Sequence, residues 1–139
     1  MKQIPESLLN TFRKYDTPTI VNSLELLDSK FRTSCFTTEQ MICVDTSLPP
    51  IVGYARTATI SASSEIDQNT KRDRSLAYYE YVSSGTAPFI SVIQDVDERP
   101  GFGSFWGEVN SNIHNALGVI GVVTNGSVRD LDVLSAGFQ

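Results

Sequence analysis

An α/β fold built on a parallel sheet is what the sequence predicts, and three observations predict it. Residues 89–124 run through an apolar strand, a glycine loop, a helix and a second apolar strand, the order of a βαβ unit. The run Val119-Ile120-Gly121-Val122-Val123 is almost continuously apolar, as a strand buried on both faces requires. The chain has 139 residues, of which 40% are hydrophobic and 19% charged, which suits one ordinary globule rather than a disordered or membrane-embedded chain. Residues 1–139 are therefore read as a single domain.

Taken in order, residues 6–14 place Leu8, Leu9 and Phe12 at helical spacing, and Thr17-Pro18 reads as an N-cap followed by the proline favoured at the first helical position. The helix that follows carries Ile20, Val21, Leu24 and Leu27 on one face. Residues 31–50 mix Thr, Ser and Cys and close on Pro49-Pro50, with a short strand expected near Met41 to Val44. Ile51 to Ile60 is β-branched and partly alternating, hence a strand, and Ala62 to Asn69 is a polar loop. Leu76, Tyr79 and Val82 predict a helix over 71–84 that Gly85 ends, before a strand over 89–94. A helix over 107–117 follows, with Val109, Ile113, Ala116 and Leu117 as its apolar stripe and Gly118 as its stop. After the strand over 119–124, Asn125-Gly126 turns the chain into Val128-Arg129-Asp130.

Composition excludes several functions. A net charge of −5, with no basic cluster beyond Lys71, Arg72 and Arg74, disfavours nucleic acid as a partner. No window approaches the roughly 20 apolar residues of a membrane span, and the start lacks a signal-peptide core, so the chain is expected in the cytoplasm. Cys35 and Cys43 lack the spacing of a zinc or redox pair and read as reduced packing residues. With one histidine, His114, any metal would be held by oxygen, which favours Mg2+ or Mn2+ over zinc.

Ligands of open α/β sheets collect beyond the carboxyl ends of strands, where two loops converge here, residues 101–108 and 125–130. Glycines at 101, 103 and 107 permit close backbone approach, and the helix beginning there turns free N–H groups toward an anion. The spacing G-x-G-x-x-x-G misses the dinucleotide fingerprint, which leaves a nucleotide-binding module as a minor alternative. Glu108 and Asp130 could hold a hard cation through oxygen and water, and Arg129 could grip a carboxylate through its planar fork. The competing reading makes Arg129 and Asp130 a surface ion pair worth ~0–1 kcal/mol and Glu108 a partner of its helix dipole. Spacing alone leaves both open.

The stretch FWGEVNSNIHNALGVIGVVTNGSVRDLD (105–132) resembles the signature of the RraA-like family, a glycine-acidic pair at a helix start followed by a small-residue helix and a GVVxxGxVRD strand and turn. Residues 15–24 resemble the family's opening helix and Val52 to Ala58 its GxAxT strand, so the resemblance covers about 15–138. It implies a compact three-layer β/β/α domain resembling the swivelling phosphohistidine domain, assembled as homotrimers or hexamers with sites at subunit interfaces. It also implies a class II aldolase that cleaves 4-hydroxy-4-methyl-2-oxoglutarate and related 2-oxo acids to pyruvate, with oxaloacetate decarboxylation beside it. The family's other branch implies a non-enzymatic regulator that binds ribonuclease E or a helicase. That branch replaces the aspartate of the VRD turn, which is present here as Asp130.

By the same resemblance Asp130 is the direct ligand of Mg2+ or Mn2+, Glu108 holds metal-bound waters, and Arg129 contacts the oxo-acid end. The backbone of Gly107, Val109 and Asn110 receives the substrate carboxylate. Glu108 stands where aldolases often carry Asp, and Asn125 where Asp is common, as a turn residue without functional weight. The chain ends at Gln139, where family members continue, so the domain is expected to lack the family's C-terminal strands and an acidic residue within them.

The remaining polar and aromatic residues are expected to be structural. His114 reads as a hydrogen-bonded core histidine and Phe105 and Trp106 as core aromatics, while Asp95, Asp97 and Glu98 read as a solvated loop. Arg74 could match a polar substrate contact of the family, but its alignment is not fixed.

Overall fold

The computed structural model describes residues 3–34 and 36–139. Contacts divide the chain into one unit ending at Val52 and another spanning Gly53–Gln139. The first holds α1 (Glu6–Phe12), α2 (Thr17–Leu27) and a short 3-10 helix, Ser29–Thr33. Leu9 is its buried apolar residue. The cap of α2 lies one residue earlier than the sequence suggests, because the Asp16 carboxylate accepts the Thr19 N–H at 2.9 Å and Thr17 is already helical. The strand expected at Met41–Val44 is not formed; these side chains are exposed, and among the described residues no strand pairs with them. Cys43 is exposed rather than packed, and Cys35 lies outside the described residues.

The second unit is a βαβαβ fold, β1 (Tyr54–Ile60), α3 (Gln68–Ser83), β2 (Phe89–Asp95), α4 (Glu108–Ala116) and β3 (Val119–Thr124), closed by a 3-10 turn over Leu131–Val133. Its sheet has three parallel strands in the order β1-β2-β3. The α/β class is thus as the sequence predicts, with one sheet among the described residues. Sequential order with two crossovers puts α3 and α4 on one face, where the Tyr78 hydroxyl of α3 meets His114 of α4 at 2.9 Å. Between them and the sheet lies a core of Val82, Phe89, Ile93, Trp106, Val119 and Phe138. On the opposite face Thr57, Thr59, Val92 and Gln94 line a shallow open hollow without a titratable side chain. The chain end lies along β3, where the Gln139 backbone pairs with Ile120 and Val122.

Three helical stripes differ from expectation, the first on α2, where no residue is buried and Leu27 is exposed. On α3, Leu76 is exposed and the inward residues are Tyr78, Tyr79 and Val82. On α4, Val109 and Ala116 face out while Ser111 and His114 are fully buried. Both polar side chains are paired in the core. Ser111 Oγ donates to Glu108 O and accepts the Ser135 N–H, so their burial costs little.

Candidate functional site

Because β1, β2 and β3 are parallel, the loops that leave their carboxyl ends gather at one edge. Asp97, read from sequence as solvated, is instead 9% exposed and is the clamp of that edge. Its carboxylate accepts from the hydroxyls of Ser61 and Ser63 and from the Ala62 and Ser63 amides. The two serine hydroxyls, and after them the Ala62 amide, hold its pKa down from 3.8 to about 2. Asp95 is buried as well, accepting the N–H groups of Asp97 at 3.0 Å and of Gly101 at 2.7 Å.

Asn125 does more than turn the chain. Its side-chain oxygen accepts the Asp95 N–H at 2.7 Å and its amide donates to Asp95 O at 3.1 Å, so it serves β2 as a backbone partner would. An aspartate there would lose the second bond. The loops are joined further along, where Trp106 and Val128 form a parallel bridge and the Arg129 N–H donates to Trp106 O at 2.9 Å. Ser127 Oγ also donates to Gly101 O.

This zippering carries Arg129 and Asp130 to the start of α4. No side chain caps that helix, and its first bond runs from the Ser111 N–H to Gly107 O. The N–H groups of Glu108, Val109 and Asn110 therefore precede it without an intrahelical acceptor, at the positive end of the helix dipole. Glycine at 107 gives these two side chains their room against the helix start, since a Cβ there would lie 2.7 Å from Asp130 Oδ2 and 2.9 Å from Arg129 Cγ and would push them aside. Glu108 is exposed in the first turn of α4, and Asn110 ties that turn to the loop through a 2.5 Å bond to Phe105 O.

Among the described residues, the two non-glycine residues with positive φ both lie in these loops, Ser104 at 31° and Asp130 at 57°. Aspartate tolerates the left-handed region better than most residues, and the strain falls where the site is expected. Arg129 Nη1 and Asp130 Oδ2 are 3.6 Å apart, with side chains 61% and 38% exposed. A pair so long and so wet contributes ~0–1 kcal/mol and leaves both groups available.

Every residue assigned to the site from sequence, Gly107, Glu108, Val109, Asn110, Arg129 and Asp130, thus lies at this helix start or on the turn packed against it. Arg74 is exposed on α3. No three His, Cys, Asp or Glu side chains converge as a metal site among the described residues. Asp130 and Glu108 offer carboxylate oxygens, the donor type that Mg2+ or Mn2+ takes one or two at a time while keeping several waters, and not the Cys and His donors of most zinc sites. Two contributors escaped sequence reading, Asp97 and Tyr78, because their partners are 34–36 positions away. No helix among the described residues is long and apolar enough to cross a membrane.

No curated protein and no solved structure matches the chain. A family model does match, that of the RraA-like family, described as Aldolase/RraA, over residues 17–137. The match takes in both loops of the site, and the chain belongs to the RraA-like family.

Proposed function

We propose that the chain is a divalent-metal-dependent lyase that cleaves 4-hydroxy-2-oxo acids to pyruvate and decarboxylates oxaloacetate. The observation that carries this reading is the Gly107 gap, which lets a carboxylate and a guanidinium lie against an uncapped helix start. The N–H groups of Val109 and Asn110 receive the substrate carboxylate, as helix starts receive anions. Arg129 sets its planar fork beside the 2-oxo oxygen, where negative charge grows as the carbon–carbon bond breaks. Asp130 and Glu108 hold the Mg2+ or Mn2+, Asp130 directly and Glu108 through water. The cation, when bound, supplies Lewis-acid stabilisation of that charge.

Phe102 and Val109 are exposed beside the site and Leu131 and Val133 on the 3-10 turn that follows it, apolar surface that assembly as a homotrimer or hexamer would cover. The test is pyruvate release from a panel of 4-hydroxy-2-oxo acids and from oxaloacetate, with Mg2+, with Mn2+ and with EDTA. Metal-dependent release is expected. Absence of release from every substrate would favour the family's other role, a regulator of ribonuclease E or a helicase.

A further inference from the structure

His114 is fully buried on the inner side of α4. A buried imidazole costs free energy unless both ring nitrogens are paired, and here both are. Nδ1 lies 2.6 Å from the Asn110 carbonyl oxygen, which can only accept, so Nδ1 carries the proton. Burial pushes the ring's pKa below its ordinary value, which keeps the imidazole neutral and Nε2 a bare acceptor. The Tyr78 hydroxyl, 2.9 Å away, must then be the donor to Nε2. The tautomer is set by this arrangement, and each bond has one direction.

The pair reaches the site from behind. Asn110, whose carbonyl His114 holds, belongs to the first turn of α4, and its side chain grips Phe105 O. The imidazole also lies 4.5 Å, centroid to centroid, from the ring of Trp106, the residue before Gly107. One side chain thus steadies both sides of the Gly107 turn, while Tyr78 anchors it to α3. An aliphatic residue could fill the same space but would fix neither Asn110 nor the angle of the Trp106 ring.

We propose that Tyr78 and His114 are positioning residues, which hold the Trp106-to-Asn110 segment in the geometry that receives an anionic substrate group. The proposal rests on the reading of that helix start as the substrate site. Tyr78→Phe is the probe, because it removes one oxygen and leaves the packing, whereas replacing His114 risks the fold. Val82→Ala, at a fully buried position of the same helix, serves as the control for general destabilisation. Hydrogen exchange of the peptide covering 105–111 is measured alongside oxalate affinity in Mg2+.

For Tyr78→Phe, exchange in that peptide is expected to quicken about tenfold, chiefly from loss of the 2.9 Å bond to His114, the longer 3.4 Å contact of the same hydroxyl with Ser91 going with it. Oxalate affinity is expected to fall at least about fivefold. Val82→Ala, which shares a core with Trp106, is expected to change both by clearly less than Tyr78→Phe while lowering the melting temperature at least as much. Wild-type exchange in Tyr78→Phe, or equal quickening in Val82→Ala, would overturn the proposal. Should the parent protein fail to bind oxalate, the lyase reading falls by itself, and the exchange comparison still decides the positioning role.

Discussion

Gly107→Ala puts a single methyl group where the site has no room. Its Cβ would lie 2.7 Å from Asp130 Oδ2, 2.9 Å from Arg129 Cγ and 3.4 Å from Arg129 Nε. The two nearest atoms must retreat by about 0.5–0.7 Å to reach ordinary van der Waals contact. The backbone at 107 is extended, with φ at −178°, so alanine adds no conformational strain. Both displaced side chains reach solvent, Arg129 at 61% and Asp130 at 38% exposure, and disturbing their long ion pair costs ~0–1 kcal/mol. Loss of glycine's freedom in the unfolded chain returns about 0.4–1 kcal/mol, so net stability should stay within ~1 kcal/mol of the parent. The melting temperature should then move by less than about 4 °C. Function should not be spared, because a displacement approaching 1 Å in a preorganised site costs about ten- to hundredfold. The assays are pyruvate release, oxalate titration calorimetry and thermal melting on one preparation. Turnover and oxalate affinity like the parent's would refute the claim that Arg129 and Asp130 act from their place against α4. A stability loss above ~3 kcal/mol would show that the backbone, not the side chains, absorbs the methyl.

Arg129→Lys keeps the charge and removes the planar fork, so turnover should fall by roughly a hundredfold with folding intact; near-normal turnover would mean that charge alone suffices. At Asp130 the cleaner substitution is Asn rather than Ala, because φ is 57° and asparagine tolerates that region, so Asp130→Asn should lose turnover while melting near the parent temperature. Acid stability is set partly by Asp97, whose folded pKa of about 2 lies below its ordinary 3.8. Its contribution is therefore complete above about pH 4 and is lost as the pH falls toward 2, so the urea-midpoint gap between the parent and Asp97→Asn should narrow over that window; a constant gap would contradict the clamp.

The outline of the fold is legible because it is written in local patterns. The apolar run 119–123 is β3, and glycines bracket α4, with Gly107 at its N-cap and Gly118 at φ 85° just past its end. The residues assigned to the site come from two short glycine-containing loops and the helix start between them, whose sequence also carries the family likeness, and the Trp106–Val128 bridge brings those loops together. What escaped is whatever depends on distant partners. Hydrophobic periodicity assigns the inner face of α4 to Val109, Ile113, Ala116 and Leu117, yet Ser111 and His114 occupy its deepest positions because Ser135 and Tyr78 satisfy them. Asp97 looks solvated by residue type alone and is buried because the Ser61–Ser64 loop supplies its donors. Met41 to Val44 errs the other way, as a strand-like tetrapeptide that no strand among the described residues pairs with.

The central claim is that Asp130 makes the start of α4 a metal-dependent receptor for an oxo acid. Oxalate, a planar mimic of the pyruvate enolate, tests it when titrated by calorimetry into the parent protein and Asp130→Asn, each with Mg2+ and with EDTA. The account predicts binding to the parent in Mg2+, loss of that binding in EDTA, and none to Asp130→Asn under either condition. Equal binding with and without metal, or undiminished binding to Asp130→Asn in Mg2+, would contradict it.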